Sequence, residues 1–292
     1  MSYMSHGYRA FAALNYLLLT VIALGSVLPL VHVLAVSFSS SAPASANLVG
    51  LWPVGFTWDA YEKTIGNDNF IRSLSISVIR TVAGTAIGML LVMLTAYPLS
   101  KDNSLFKSRS VYIWIFIFTM LFNAGMVPGY VLIQKLGLMN SLWALILPSL
   151  VNVYNVVLLL NFFRNVPKEL EEASFIDGAG HFQTLMRIYI PVSMPAIATL
   201  SLFTMVGHWN AWFDGLLYMT RVEKYPLATF LQTIIVQQDM TRLNVRPEDL
   251  ENIAQRTIKS AQIFIGAIPI LVVYPFLQRF FVKGIVLGAV KE

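Results

Sequence analysis

The polar residues of this chain that could bind or transmit are concentrated in one stretch, Pro167 to Pro195, between two long apolar runs. Glu169, Glu171 and Glu172 follow Pro167 closely. A proline suits the first turn of a helix, and carboxylates suit its positive end. Asp177-Gly178-Ala179-Gly180 reads as a turn, with Gly178 and Gly180 able to stop that helix in a left-handed conformation. A second amphipathic run, His181 to Ile190, then leads through Pro191 into an apolar segment. Phe175, Ile176, Phe182, Leu185 and Met186 give both short helices an apolar face. Such a face, held outside a bilayer on rigid helices, is shaped to enter a groove on a partner protein. The chemistry it implies is docking and transmission of force.

Two apolar runs carry a second set of polar groups. One holds Pro148, Asn152, Tyr154, Asn155 and Asn161; the other runs from Gly207 through His208, Trp209, Asn210 and Trp212 to Asp214. Amides and aromatic rings bind hydroxyls and sugar faces, and they equally form hydrogen bonds between helices. Asn152, Asn155, Trp209 and Asn210 are the candidates for a substrate path. Arg80 reads either as an anion contact or as an interhelical or snorkelling arginine. His208 has no metal-ligand spacing around it and reads as a packing group. Asp214 is expected at the outer boundary. No Gly-x-x-x-x-Gly-Lys-Ser/Thr, Gly-x-Ser-x-Gly or His-Glu-x-x-His sequence occurs, and there is no cysteine. No catalytic residues, metal site or cofactor are assigned to the chain.

These groups need elements to hold them. Apolar residues make up 57% and charged residues 12% of 292, about half the charge of a soluble domain. Six windows nearly free of charge predict an all-α polytopic membrane protein with spans near 12–36, 74–99, 110–131, 141–163, 195–219 and 260–281. The first apolar region, about 25 residues, is too long for a signal peptide. Asn123 to Gly129 predicts a break in the third span, and a short interfacial helix is expected after Thr57. Lys101, Lys107 and Arg109 on one short loop, against Lys135 alone on the next, place the first loop inside. Both termini and the Glu172 stretch are then cytoplasmic, and the long loop 221–259 is outside. Helices are expected there over Thr233 to Gln238 and Pro247 to Gln255. The scattered Lys and Arg argue against nucleic-acid binding.

The Pro167 stretch resembles the EAA loop of the membrane subunits of ATP-binding-cassette importers. Glu172-Ala173-Ser174, Gly178 and Ile188-Tyr189-Ile190-Pro191 keep that loop's spacing, with Ser174 in place of Ala and Ile190 in place of Leu. Asp177 before the glycine is usual in the sugar-transporting branch. The Trp209-Asn210 segment and the tail from Phe281 to Glu292 are similar to the maltose-permease-like second subunit of carbohydrate importers. Within that group the chain looks like the branch handling alginate- and pectin-type oligosaccharides. The resemblance implies a type I importer permease: one transmembrane domain over 1–292, with a coupling loop over 166–192. It implies that Glu172, Ala173, Ser174, Asp177, Gly178, Phe182, Leu185, Ile188 and Pro191 couple to the ATPase. It also implies a bacterial inner-membrane location and partners: a second, different permease subunit, two ATP-binding subunits carrying ATP and Mg, and an extracytoplasmic solute-binding protein. The alternatives are a stand-alone secondary transporter or channel, and an intramembrane enzyme using His208.

Overall fold

The computed structural model describes residues 6–122, 124–241 and 250–289, and among them all regular elements are helical. This is the expected all-α class. In chain order the helices are α1 (His6–Ser37), α2 (Ser41–Ser45), α3 (Asp59–Ile65), α4 (Asp68–Ser100), α5 (Arg109–Leu121), α6 (Met126–Lys135), α7 (Leu142–Ile146), α8 (Val153–Arg164), α9 (Lys168–Ile176), α10 (His181–Thr184), α11 (Ile190–Val192), α12 (Met194–Asn210), α13 (Phe213–Tyr218), α14 (Leu227–Thr241) and α15 (Leu250–Ala289). A wide π-type turn, Leu185–Tyr189, links α10 to α11. Apolar sequence in lipid leaves the backbone no partners but its own, so helix is the form these runs must take.

Among the described residues, three helices, Gly7–Ser37, Asp68–Ser100 and Gln255–Phe276, are each long and apolar enough to cross a bilayer. Three bent pairs raise the number to six if each pair is one span. The third expected span is interrupted between Leu121 and Met126, where Gly125 takes a φ of 90°. The fourth bends by 48° after Ser149, just beyond Pro148. The fifth differs from the expected continuous helix over 195–219. Residues 181–192 turn 83° from α12, and α12 itself stops at Asn210, with α13 resuming at Phe213. Ser193, at φ −95° and ψ 13°, sits at the first of these corners. The expected helix after Thr57 is α3, with Asp59 and Glu62 in its first turn and Lys63 in its last, as the helix dipole favours. Thr233 to Gln238 fall within α14. The helix start expected at Pro247–Asp249 lies outside the described residues, as do Asn123 and the last three residues of the tail.

The chain forms two compact units, 1–71 with 233–268 and 72–232 with 269–292. In the first, Ala35, Val36, Ala44 and Val49 are buried together, and the rings of Phe38 and Trp58 each lie within 6 Å of those of Phe56 and Tyr61 and of each other. In the second, the C-terminal half of α4 (Met89, Val92, Ala96, Leu99), α8 (Val156, Leu159, Phe163), the π-type turn and α12 (Ala196, Ile197, Leu200) share one core. A second cluster joins Ile133 of α6, Ala144 and Leu145 of α7, and Tyr218 and Met219 at the end of α13.

Candidate functional site

The Pro167 stretch folds as a two-helix hairpin. Pro167 precedes α9 as its N-cap, and Glu169 and Glu171 occupy the first turn. At the other end Gly178 has a φ of +81°. The Ala179 N–H donates to the Ser174 carbonyl at 2.9 Å, and the Gly178 N–H to Phe175 at 3.0 Å. This is the paired 6→1 and 5→2 closure of a Schellman motif, which needs a left-handed residue where Gly178 stands. Glycine in the EAA-like pattern is thus a backbone requirement.

The serine that replaces the pattern's second alanine is buried. Its Oγ lies 2.7 Å from Thr184 Oγ1, and Thr184 in turn donates to the Gly180 carbonyl at 3.2 Å. The two hydroxyls tie α9 to α10. Glu172, Ala173, Asp177, Gly178, Phe182 and Pro191 face solvent or lipid, whereas Ile188 is half-buried. Phe182 is 63% exposed and Ile176 86%, with Phe175 and Met186 also exposed. Leu185 departs from the expected apolar docking face: it is 2% exposed and belongs to the chain's own core. The wide turn that begins at Leu185 carries this residue inward, so it anchors the hairpin while Phe182 stays exposed.

A buried ionic cluster beneath the hairpin was not foreseen. Lys101, one residue past α4, places Nζ 2.6 Å from Glu171 Oε1 and 2.9 Å from the Tyr189 hydroxyl, and that hydroxyl donates to Glu171 Oε2 at 2.6 Å. The ammonium also stands 4.0 Å from the Tyr97 ring centroid and 4.1 Å from that of Tyr189. Burial pulls the Lys101 ammonium below the ordinary lysine range, and the hydrogen bond and charge of Glu171 oppose that pull. Nearby, exposed Lys168 donates to Asp102 at 2.6 Å; this partner lowers the Asp102 pKa and raises that of Lys168.

The other candidate residues separate. Asn152 and Asn155 line a polar cavity of about 280 Å³ with Arg80, Ser149, Phe203, Thr204, Gly207, His208, Ala211 and Asp214. Asn152 caps α8 by accepting the Asn155 N–H at 3.3 Å, and Asn155 Nδ2 donates to Thr204 Oγ1 at 3.0 Å. Trp209 instead lines an apolar cavity of about 160 Å³ with Val78, Thr81, Val82, Leu202 and Pro269, among others. Asn210 is exposed and lines neither cavity. Arg80, 1% exposed, takes the interhelical role. It pairs with Asp214 through Nη1 and Nη2 and donates from Nη1 to the Ala211 carbonyl at 3.1 Å. It thereby staples the break between α12 and α13, where helix-end carbonyls need donors. His208 is buried, with its ring against α4 at Gly84.

A polar cavity and a buried ion pair between apolar helices commonly mark a path for polar cargo. Comparison with known proteins agrees. Residues 68–287 match the family model described as binding-protein-dependent transport system inner membrane component. The chain is 39% identical to Protein LplC of Bacillus subtilis, covering 97% of this chain and 95% of that one. It is 40% identical to the polygalacturonan/rhamnogalacturonan transport system permease protein YtcP of the same organism, covering 97% and 99%. Among solved structures, a bacterial ABC transporter involved in the import of the acidic polysaccharide alginate superposes with a TM-score of 0.84 at 31% identity, over 96% of this chain and 100% of that one. A hairpin of the EAA type on a helical body with membrane-spanning helices, matched along most of its length, places the chain in the binding-protein-dependent transport system inner membrane component family.

Proposed function

We propose that the chain is the membrane-spanning permease subunit of an ATP-driven importer of oligosaccharides. It forms half of the translocation path and takes its energy from separate ATPase subunits that hold ATP and Mg. The observation that carries this reading is the hairpin of residues 166–192. Its EAA-like spacing coincides with a Schellman turn at Gly178 and with Phe175, Ile176, Phe182 and Met186 left uncovered. Uncovered apolar side chains on a rigid polar hairpin suit a groove on a partner. We assign ATPase docking to that face, with Glu172, Ala173, Asp177 and Pro191 around it and Ser174, Leu185 and Ile188 as its internal supports. The polygalacturonan/rhamnogalacturonan relative and the alginate transporter favour acidic oligosaccharides as cargo. Asn152 and Asn155, in the polar cavity, are the best-placed groups to meet sugar hydroxyls.

We assign two further partners in the same reading: an extracytoplasmic solute-binding protein meeting the 221–259 region, and a second, different permease subunit. The orientation has both termini in the cytoplasm. A reporter fused after Asn103 then behaves as cytosolic and one near Asp239 as extracytoplasmic; the opposite pattern at both sites overturns it. Reconstituted vesicles with ATP inside and loaded binding protein outside should accumulate sugar only when both are present. Uptake by this chain alone, driven by an ion gradient, would instead establish a secondary transporter.

A further inference from the structure

We propose that Lys101, Glu171 and Tyr189 form a positioning clamp that makes the docking hairpin one rigid body with the end of α4. Force applied to the hairpin thereby reaches the polar cavity through α4. The proposal rests on the hairpin's being the ATPase-docking element.

The three side chains come from three segments. Lys101 follows the last turn of α4, Glu171 is on α9, and Tyr189 ends the π-type turn after α10. The carboxylate receives a hydrogen bond on each oxygen, one from the ammonium and one from the phenol, and the ammonium also contacts the phenol oxygen. Aromatic rings close the cage. Tyr97 and Tyr189 meet edge to face at 5.0 Å, and Phe163, at the end of α8, meets Tyr189 at 5.4 Å. A buried ion pair of this kind adds little net stability over an apolar packing of the same shape. What it supplies is direction: three hydrogen bonds with defined angles resist both sliding and rotation of α9 against α4.

The other end of the lever is on the same helix. Arg80 lies on α4 about 30 Å along the axis from Lys101, at 1.5 Å per residue, and staples the break between α12 and α13 beside the polar cavity. One continuous helix therefore joins the clamped hairpin to the groups that border the cavity. A hairpin tethered only by Pro167 and Pro191 would swing on its linkers; a clamped one must tilt α4.

The test uses the assembled importer in vesicles, reading ATP hydrolysis, uptake and ATPase copurification together. Lys101→Met and Glu171→Gln should each retain the copurified ATPase and basal hydrolysis while uptake per ATP hydrolysed falls roughly tenfold. Lys101→Arg should recover most of it. Because the chain has no native cysteine, a spin-label pair at Pro98→Cys and Glu169→Cys reads the geometry directly. The distance should stay fixed between nucleotide-free and ATP-bound states in the otherwise unaltered chain and broaden in the Lys101→Met background. An unchanged uptake-to-hydrolysis ratio in both single variants, or a label distance that changes with nucleotide in the unaltered chain, overturns the clamp. If a variant fails to assemble, the label distance in the unaltered chain still decides. Failure of the docking reading looks different: the ATPase would copurify normally with Phe182→Ala.

Discussion

Neutralising Asp214 should destabilise the permease more than removing the arginine it pairs with. Arg80 is 1% exposed, while the Asp214 side chain keeps 26% of its surface. In Asp214→Asn the guanidinium stays buried, keeps its charge, and retains the Ala211 carbonyl as a partner. An arginine cannot escape by deprotonation. Losing the countercharge of a buried pair costs about 3–5 kcal/mol, and the partial exposure of Asp214 points to the lower end of that range. Arg80→Met removes the donor to Ala211 and leaves a carboxylate that water already reaches, a loss of about 1–3 kcal/mol. The double variant removes both charges, so its cost should fall below the sum of the singles by at least about 1 kcal/mol. Melting curves of the purified complex in detergent measure this, with Asp214→Asn lowering the midpoint by roughly 10 °C. Additive single effects, or a shift below about 2 °C for Asp214→Asn, would refute the idea that this pair holds the break between α12 and α13.

At Gly88 an added Cβ would stand 2.7 Å from the Leu150 carbonyl oxygen, so Gly88→Ala must displace backbone and should cost about 1–3 kcal/mol. Gly25→Ala, with nothing within 4 Å, should stay within about 0.5 kcal/mol of the parent in the same melts; equal effects would contradict the close packing of α4. The exposed Asp102–Lys168 pair has an opposite sign at each end of the pH scale. The lowered Asp102 pKa gives a contribution present above the unfolded carboxylate value and lost as pH falls through the lowered one. The raised Lys168 pKa gives one present below the unfolded lysine value and lost as pH rises through the raised one. Asp102→Asn should therefore shift the melting midpoint by the same small amount at every pH from about 5 to about 9; a shift that grows across that range would contradict this assignment.

Much of the architecture could be read from charge alone. Charge-free runs mark the helices, and Asp177-Gly178-Ala179-Gly180 marks the turn, because only a residue tolerant of positive φ closes a Schellman motif there. The clamp was hidden for a different reason. Lys101 and Glu171 are far apart in the chain, and each already had a sufficient local meaning, one as a cytoplasmic charge and one as a helix-dipole carboxylate. Leu185 was misplaced because a helical period does not reveal a wide turn that re-aims the face. Trp209 and Asn210 were grouped by residue type, yet neighbours on a helix project about 100° apart. The four candidates do not share a wall: Trp209 lines the apolar cavity, Asn152 and Asn155 line the polar one, and Asn210 lines neither.

The central claim, that the 166–192 hairpin receives the ATPase, is tested most directly by copurifying and assaying the ATPase with Phe182→Ala and Gly178→Leu permeases. Phe182 is 63% exposed here and would be covered on docking, so truncating it should remove about 3 kcal/mol or more and weaken ATPase retention at least a hundredfold or so. Gly178→Leu meets no neighbour within 4 Å but strains a backbone at φ +81° by about 1–2 kcal/mol, and should weaken retention while insertion in the membrane stays normal. Loss of the ATPase and of hydrolysis stimulated by loaded binding protein is the predicted result. Normal retention and normal stimulation in both variants would contradict the account.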